Sequence, residues 1–276
     1  MSRAPSDDPF GTAEIRAASL AAWLSSPTRL REDANVEEDH ARGYYRDRAI
    51  VELAQNAADA ARATDSHSGW LLLRLVTHDG GARLTAANTG APLTAAGVLA
   101  LASMRASAKT VSGAAGREER RGAATTVGRF GVGFAAVRAL SDEIAISSGP
   151  GTVVFSAAAA RAELQRAAAR PAAGEQPSAE RSGLLTVRQV LDRPSADLPI
   201  LRLPFSLGGP GQPGATIGPD GQPSSRPADA LTVPQGYDTA VGARLRGAGA
   251  RDLGRRVREA LDDALLLALP ALRQIR

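Results

Sequence analysis

Arg46 to Arg62 reads RDRAIVELAQNAADAAR. At about 100° per residue, Glu52, Asn56 and Asp59, spaced i, i+4 and i+7, fall on one narrow stripe of a helix. A carboxylate, a carboxamide and a second carboxylate therefore share a face. Ile50, Leu53, Ala54, Ala57, Ala58 and Ala61 make the other faces apolar or small, so the helix can press closely on a sheet while the stripe lines a cleft. Such a row needs an occupant. Magnesium and phosphate suit it: a carboxamide oxygen is a hard ligand for a hydrated cation, and a carboxylate one turn earlier can orient or deprotonate a water.

Composition narrows the chemistry around that helix. A chain of 276 residues that is 43% apolar can bury a substantial core, and one elaborated domain is the expected organisation. Three stretches divide it: residues 1–45 as an amino-terminal helix and strap, 46–169 as the core, and 170–276 as the remaining strands, insertions and a last helix. With no cysteine and three scattered histidines, thiolate and zinc sites are excluded. The formal charge of +4 comes from arginine, since Lys109 is the single lysine; with aromatics at 4% there is little for base stacking, and nucleic acid is disfavoured as a partner. The opening MSRAPSDDPFGTAEIR lacks a secretory apolar run, and no stretch reaches the roughly 18 apolar residues of a membrane span. The expectation is a cytoplasmic protein with no membrane partner.

Along the chain, TAEIRAASLAAWLS (12–25) carries Ile15, Leu20, Trp23 and Leu24 with helical recurrence. The mixed-charge run from Arg29 to Arg48 reads as a solvated strap. After the central helix, WLLLRLVTH and ARLTAAN flank Asp79-Gly80-Gly81 as a hairpin, whose turn geometry explains those glycines without a ligand. Asn88-Thr89-Gly90-Ala91-Pro92 then leads into a helix over 94–103. The segment from Arg105 to Thr126 reads as a surface loop or a lid, and the two are compatible. Val127 to Phe134, VGRFGVGF, is a glycine-rich turn opening a helix; it either aims N–H groups at an anion or serves close packing. A second hairpin (DEIAISS, GTVVFSA) and an alanine-rich helix follow, then Pro/Gly/Ser-rich insertions at 170–183 and 206–230. TVRQVL between them reads as a turn, LPILRLPF and TAVGARLR as strands, and Arg251 to Leu269 as a final amphipathic helix.

Three elements thus occur in fixed order: E-x-x-x-N-x-x-D-A (Glu52, Asn56, Asp59, Ala60), Asn-Thr-Gly after a strand, and G-x-x-G-x-G-F after a loop. Together they resemble the GHKL superfamily of ATPases, which groups type II topoisomerases, the ninety-kilodalton heat-shock chaperones, histidine kinases and MutL proteins. YRDRAIVELAQNAADA, ANTGAPLT and VGRFGVGFAAV look most like the chaperone-type branch, in particular bacterial relatives of the sacsin amino-terminal repeat. The resemblance implies a Bergerat fold, an α/β (α+β two-layer) sandwich in which a mixed, mostly antiparallel sheet carries helices on one face and nucleotide sits beneath a lid loop.

Carried over position by position, the resemblance makes Asn56 the magnesium ligand, Glu52 the carboxylate that activates water, and Asp59 support for the polar network. Gly128, Gly131 and Gly133, with the N–H groups of Phe130, Val132 and Phe134, match the phosphate cradle; Arg129 and Lys109 add positive charge, or Lys109 is an ordinary solvated cation. Thr239 matches the threonine that supports the adenine site. The departure is at Asn88, Gly90 and Pro92, where most of the superfamily has D-x-G-x-G. Asparagine oxygen still accepts from an exocyclic amine, but the charge is gone and proline stiffens the turn; Asn88 also reads as a cap or turn residue.

The implied activity is slow, Mg2+-dependent ATP hydrolysis driving a conformational switch of chaperone-like type. The alternatives are a nucleotide sensor with little hydrolysis, and the ATPase domain of a DNA-processing protein, which would need a transducer domain and a basic duplex-binding surface that this chain does not display. The partners implied are ATP, a protein client or carboxy-terminal segments beyond this chain, and a second copy in a nucleotide-dependent dimer.

Overall fold

Alternation of side chains decides the sheet. In β1 (Gly69–His78) and β2 (Gly81–Asn88), joined antiparallel with Leu71 opposite Asn88 and Leu75 opposite Leu84, one face carries Leu71, Ala82, Leu84 and Ala86 into the core. The same parity continues through β3 (Ser141–Ser148), β4 (Gly151–Ser156) and β8 (Thr239–Leu245), which contribute Ile144, Ile146, Val153, Phe155, Val241 and Ala243. With β5 (Phe205–Leu207) and β9 (Leu272–Ile275) the order is β5-β4-β3-β8-β2-β1-β9. Every pairing is antiparallel except that of β1 with β9. Two-residue strands β6 (Thr216–Ile217) and β7 (Pro223–Ser224) pair separately.

The computed structural model describes residues 8–42, 48–64, 68–78, 81–103, 134, 136–169, 178–192, 198–207, 216–217, 223–224, 231–245, 255 and 263–276. Helices α1 (Thr12–Ser25), α2 (Pro27–Arg42), α3 (Ala49–Arg62), α4 (Ala95–Ser103), α5 (Ala157–Ala168), α6 (Ser178–Leu191) and α7 (Asp263–Ala268) accompany the sheet. Trp23, Leu30, Leu53, Leu101, Leu164 and Val187, one from each of the first six, join the inner sheet residues in a single apolar cluster. The result is an α+β two-layer sandwich with a mixed, mostly antiparallel sheet, the fold class expected from the sequence.

Helix α3 owes its position to small residues. Ala54, Ala57, Ala58 and Ala61 are buried against the sheet, and with no side chain beyond Cβ they let the helix axis approach β1 and β2. Asn56 therefore sits just above the strand ends.

Several local readings need correction. The run expected to be a solvated strap is α2. Leu30, Asp33, Ala34 and Glu37 recur at helical spacing and are all buried, the two acids being met by arginines from distant segments. The expected insertion at 170–183 becomes helical from Ser178, and TVRQVL continues that helix where a turn was expected. Gly183 is the crossing point with α1: a Cβ there would lie 2.2 Å from the Leu24 carbonyl oxygen. LPILRLPF is a 3-10 turn, Ile200–Arg202, before the short β5, because Glu37 takes the N–H groups of Ile200 and Leu201 that a ladder would need. The last apolar run ends its helix at Ala268, and Leu272–Ile275 is a strand that the sequence reading missed.

Candidate functional site

At one end of the sheet, the inward-facing rows turn from apolar to polar. Asn88 pairs across to Thr239, and Thr239 to Ser148, so three polar residues from β2, β8 and β3 stand side by side on the helix-facing surface. Above them, α3 supplies Asn56 and Ala60, α4 supplies Gly97 and Leu101, and Phe134 closes one side. The pocket between these walls holds about 580 Å3, its open mouth included, and is further lined by Ala91, Pro92, Leu93, Thr94, Ile146 and Val241. Apolar walls with a few convergent polar groups are what a small planar ligand requires.

The turn after β2 is clamped on three sides. Gly90 adopts φ +123°, and a Cβ on it would lie 2.5 Å from both the carbonyl carbon and oxygen of Ala60. Its N–H donates to Asp238 Oδ2 at 2.8 Å, the next N–H, Ala91, donates to the Ala60 carbonyl at 2.9 Å, and Asp238 N–H donates to the Asn88 carbonyl at 2.9 Å. Glycine at position 90 is thus required by close approach of the turn to α3 and by a backbone angle that other residues avoid.

The hydroxyls on the pocket floor have assignable directions. Ser148 Oγ accepts the Leu93 N–H at 3.0 Å and donates to the Asp238 carbonyl at 3.2 Å. Its one proton is then used, so at the 2.9 Å contact between Ser148 Oγ and Thr239 Oγ1 the threonine is the donor. Thr239 is left with acceptor lone pairs. Asn88 Nδ2 donates to the Thr89 carbonyl at 3.2 Å, and among the described residues no group donates to its Oδ1. The Asn56 carboxamide has no hydrogen bond to any described residue.

Of the residues singled out from the sequence, Asn56, Asn88, Thr239 and Phe134 line this one pocket, and Gly90 builds its rim. Glu52 and Asp59 are not among its lining residues. Glu52 is largely buried and lies 3.7 Å from the half-exposed Arg48, while Asp59 is bound by Arg62 one turn on. Lys109, Gly128, Arg129, Phe130, Gly131, Val132 and Gly133 lie outside the described residues, as do the segment from Arg105 to Thr126 and the Asp79-Gly80 turn. Asp238 and Ser148 were not picked out from the sequence. Their signal was position alone: one directly precedes Thr239, and the other ends the strand beside it.

Among the described residues no group of three or more His, Cys, Asp or Glu is placed to hold a metal ion, and no helix is long and apolar enough to cross a membrane. No protein-family model matches the chain, and no curated protein matches it.

Proposed function

We propose that the pocket binds the base of a purine nucleotide, and that the protein is a Mg2+-dependent ATP-binding and ATP-hydrolysing switch of GHKL, chaperone-like type acting in the cytoplasm. What carries this reading is the meeting of Asn56, Asn88, Thr239 and Phe134 in one cleft, from four separate segments. They are the positions to which the resemblance gives nucleotide roles. The pair of acceptors suits adenine: Asn88 Oδ1 and Thr239 Oγ1 accept from the exocyclic amine, and Leu101, Ile146 and Val241 supply apolar contact for the ring. Magnesium fits a site in which phosphate oxygens supply most ligands and the Asn56 carboxamide, free of protein partners among the described residues, supplies one. Bound there, the ion would offset the negative charge of the phosphates. Glu52, one turn before Asn56, is the group to orient a water, and to do so it must give up Arg48.

The test is calorimetric titration with magnesium and a non-hydrolysable ATP analogue. Micromolar binding is expected, weakened about tenfold or more by Asn88→Ala, with Asn56→Ala removing the dependence on magnesium. Absence of binding by the wild-type chain sinks the reading. One observation favours a second reading, a nucleotide sensor with little turnover: Glu52 is engaged by Arg48 and lies off the pocket lining. Phosphate release separates the two, since hydrolysis predicts that Glu52→Ala stops release and keeps binding, whereas a sensor releases no phosphate even as wild type.

A further inference from the structure

Behind the pocket lies a buried ionic cluster that the nucleotide reading leaves unused. Asp33 and Glu37 stand four residues apart on α2, both facing inward. Glu37, 1% exposed, accepts the N–H groups of Ile200 at 2.9 Å and Leu201 at 2.7 Å and lies 3.5 Å from Arg138 Nε. Arg138, fully buried, also donates to the Ser141 carbonyl at 3.1 Å and to Asp142 at 3.0 Å. Asp33 accepts the Trp23 indole N–H at 2.9 Å and one arm of Arg202 at 2.7 Å. The other arm of Arg202 donates to the carbonyls of Ala102 and Ser103, at 3.2 and 2.9 Å, which closes the carboxy-terminal end of α4.

The two arginines hold two different walls of the pocket. Arg202 fixes α4, which supplies Gly97 and Leu101; Arg138 belongs to the short helical stretch 136–138 directly after Phe134. The geometry points to Asp33 and Glu37 as positioning residues for the pocket: through Arg202 and Arg138 they tie α4 and the Phe134 segment to α2, so that ligand affinity depends on a helix that does not line the site. This rests on the reading of the pocket as a ligand site. Burial pushes the Glu37 carboxyl up to about 7, against the opposing pull of Arg138, the Leu201 and Ile200 N–H groups and Arg202. Ionisation of Glu37 therefore works against folding stability as pH rises through about 7. What an uncharged amide lacks is a second acceptor for the two N–H groups and a counter-charge for Arg138.

At pH 8 and under conditions where it is folded, Glu37→Gln is expected to bind magnesium and the non-hydrolysable ATP analogue at least about fivefold more weakly than wild type. Its amide hydrogens at 95–103 and 136–140 should exchange faster, with those of β2 and β8 unchanged. Arg202→Gln, which severs the other tie, that of Asp33 to α4, should speed exchange at 95–103 and serves if Glu37→Gln does not fold. A folded variant with wild-type exchange in its segment and affinity within twofold overturns the inference. If wild type binds no nucleotide, the nucleotide reading fails by itself, and the exchange comparison alone decides whether α2 positions these walls.

Discussion

Gly90→Ala concentrates several physical costs in one methyl group. The backbone angle of +123° is one that residues with a Cβ occupy only under strain, which costs about 1–3 kcal/mol. The new Cβ would also lie 2.5 Å from the Ala60 carbonyl carbon and oxygen and 2.7 Å from the Ala61 nitrogen, and these are backbone atoms of a buried helix that cannot rotate away. The turn must lift from α3. Lifting it breaks the Ala91 N–H bond to Ala60, worth about 1 kcal/mol, and loosens the Gly90 N–H bond to the solvent-exposed Asp238 carboxylate, worth about the same. The sum is about 3–5 kcal/mol, a large part of the roughly 5–15 kcal/mol that holds a domain folded. Urea unfolding followed by far-ultraviolet circular dichroism measures it. A loss below about 1 kcal/mol would show that the turn is not pressed on α3 as described. Asp238→Asn separates the contributions, because its carboxamide oxygen can still accept the Gly90 N–H, and it should cost under about 1 kcal/mol.

Three further outcomes follow from the packing and from the buried charges. Gly183→Ala would set a Cβ 2.2 Å from the Leu24 carbonyl oxygen, forcing α1 and α6 apart; a loss of at least about 2 kcal/mol in the same unfolding assay is expected, and a neutral result would contradict that crossing. Phe155→Ala empties a fully buried site whose ring stands 5.6 Å from that of Phe134, and should cost about 3–5 kcal/mol, read as a lowered melting temperature. Because the Glu37 carboxyl is raised from its ordinary 4.5 to about 7, the folded state binds more protons than the unfolded one between those values; its stabilising contribution is complete below about pH 4.5 and is lost as pH rises through about 7. Wild type should therefore lose stability relative to Glu37→Gln between pH 5 and pH 8, by up to roughly 3 kcal/mol; parallel pH profiles for the two would refute the assignment.

What the sequence made legible were the elements whose burial pattern is local. The β1–β2 and β3–β4 hairpins, α3, α4 and β8 each carry their own periodicity or cap, as when Thr94 Oγ1 accepts the Gly97 N–H at the start of α4. What stayed hidden depended on distant partners. The α2 run reads as solvated because five of its residues are acidic and Asp33 and Glu37 look like surface charge until Arg202 and Arg138 arrive from elsewhere in the chain. Leu272–Ile275 becomes a strand only because β1 offers it an edge, which no pattern within four residues can announce. At the pocket, Asn56, Asn88 and Thr239 were identifiable from motif position, whereas Ser148 and Asp238 act through hydrogen bonds fixed by strand register.

The polar stripe on α3 straddles the edge of the pocket, and helix geometry says how. Four residues advance a helix by about 40° beyond a full turn, and three fall short of one by about 60°. Relative to Asn56, Ala60 therefore lies about 40° to one side, while Glu52 and Asp59 lie about 40° and 60° to the other. The pocket floor is on the Ala60 side, which is why Asn56 and Ala60 line it together and the two acids do not. Asn56 stands at the boundary between an apolar cavity suited to a base and an acidic flank where Glu52 meets Arg48 and Asp59 meets Arg62. For a nucleotide whose base occupies the cavity, hydrolysis through Glu52 requires the phosphates to cross that boundary over Asn56 towards the acids. The carboxylates of Glu52 and Asp59 stand there, each beside an arginine, so binding should depend more on magnesium if the phosphates cross than if they point to solvent. The magnesium dependence of affinity in Glu52→Gln against wild type reads that difference directly: with the phosphates beside Glu52, removing its charge should tighten binding in the absence of the metal.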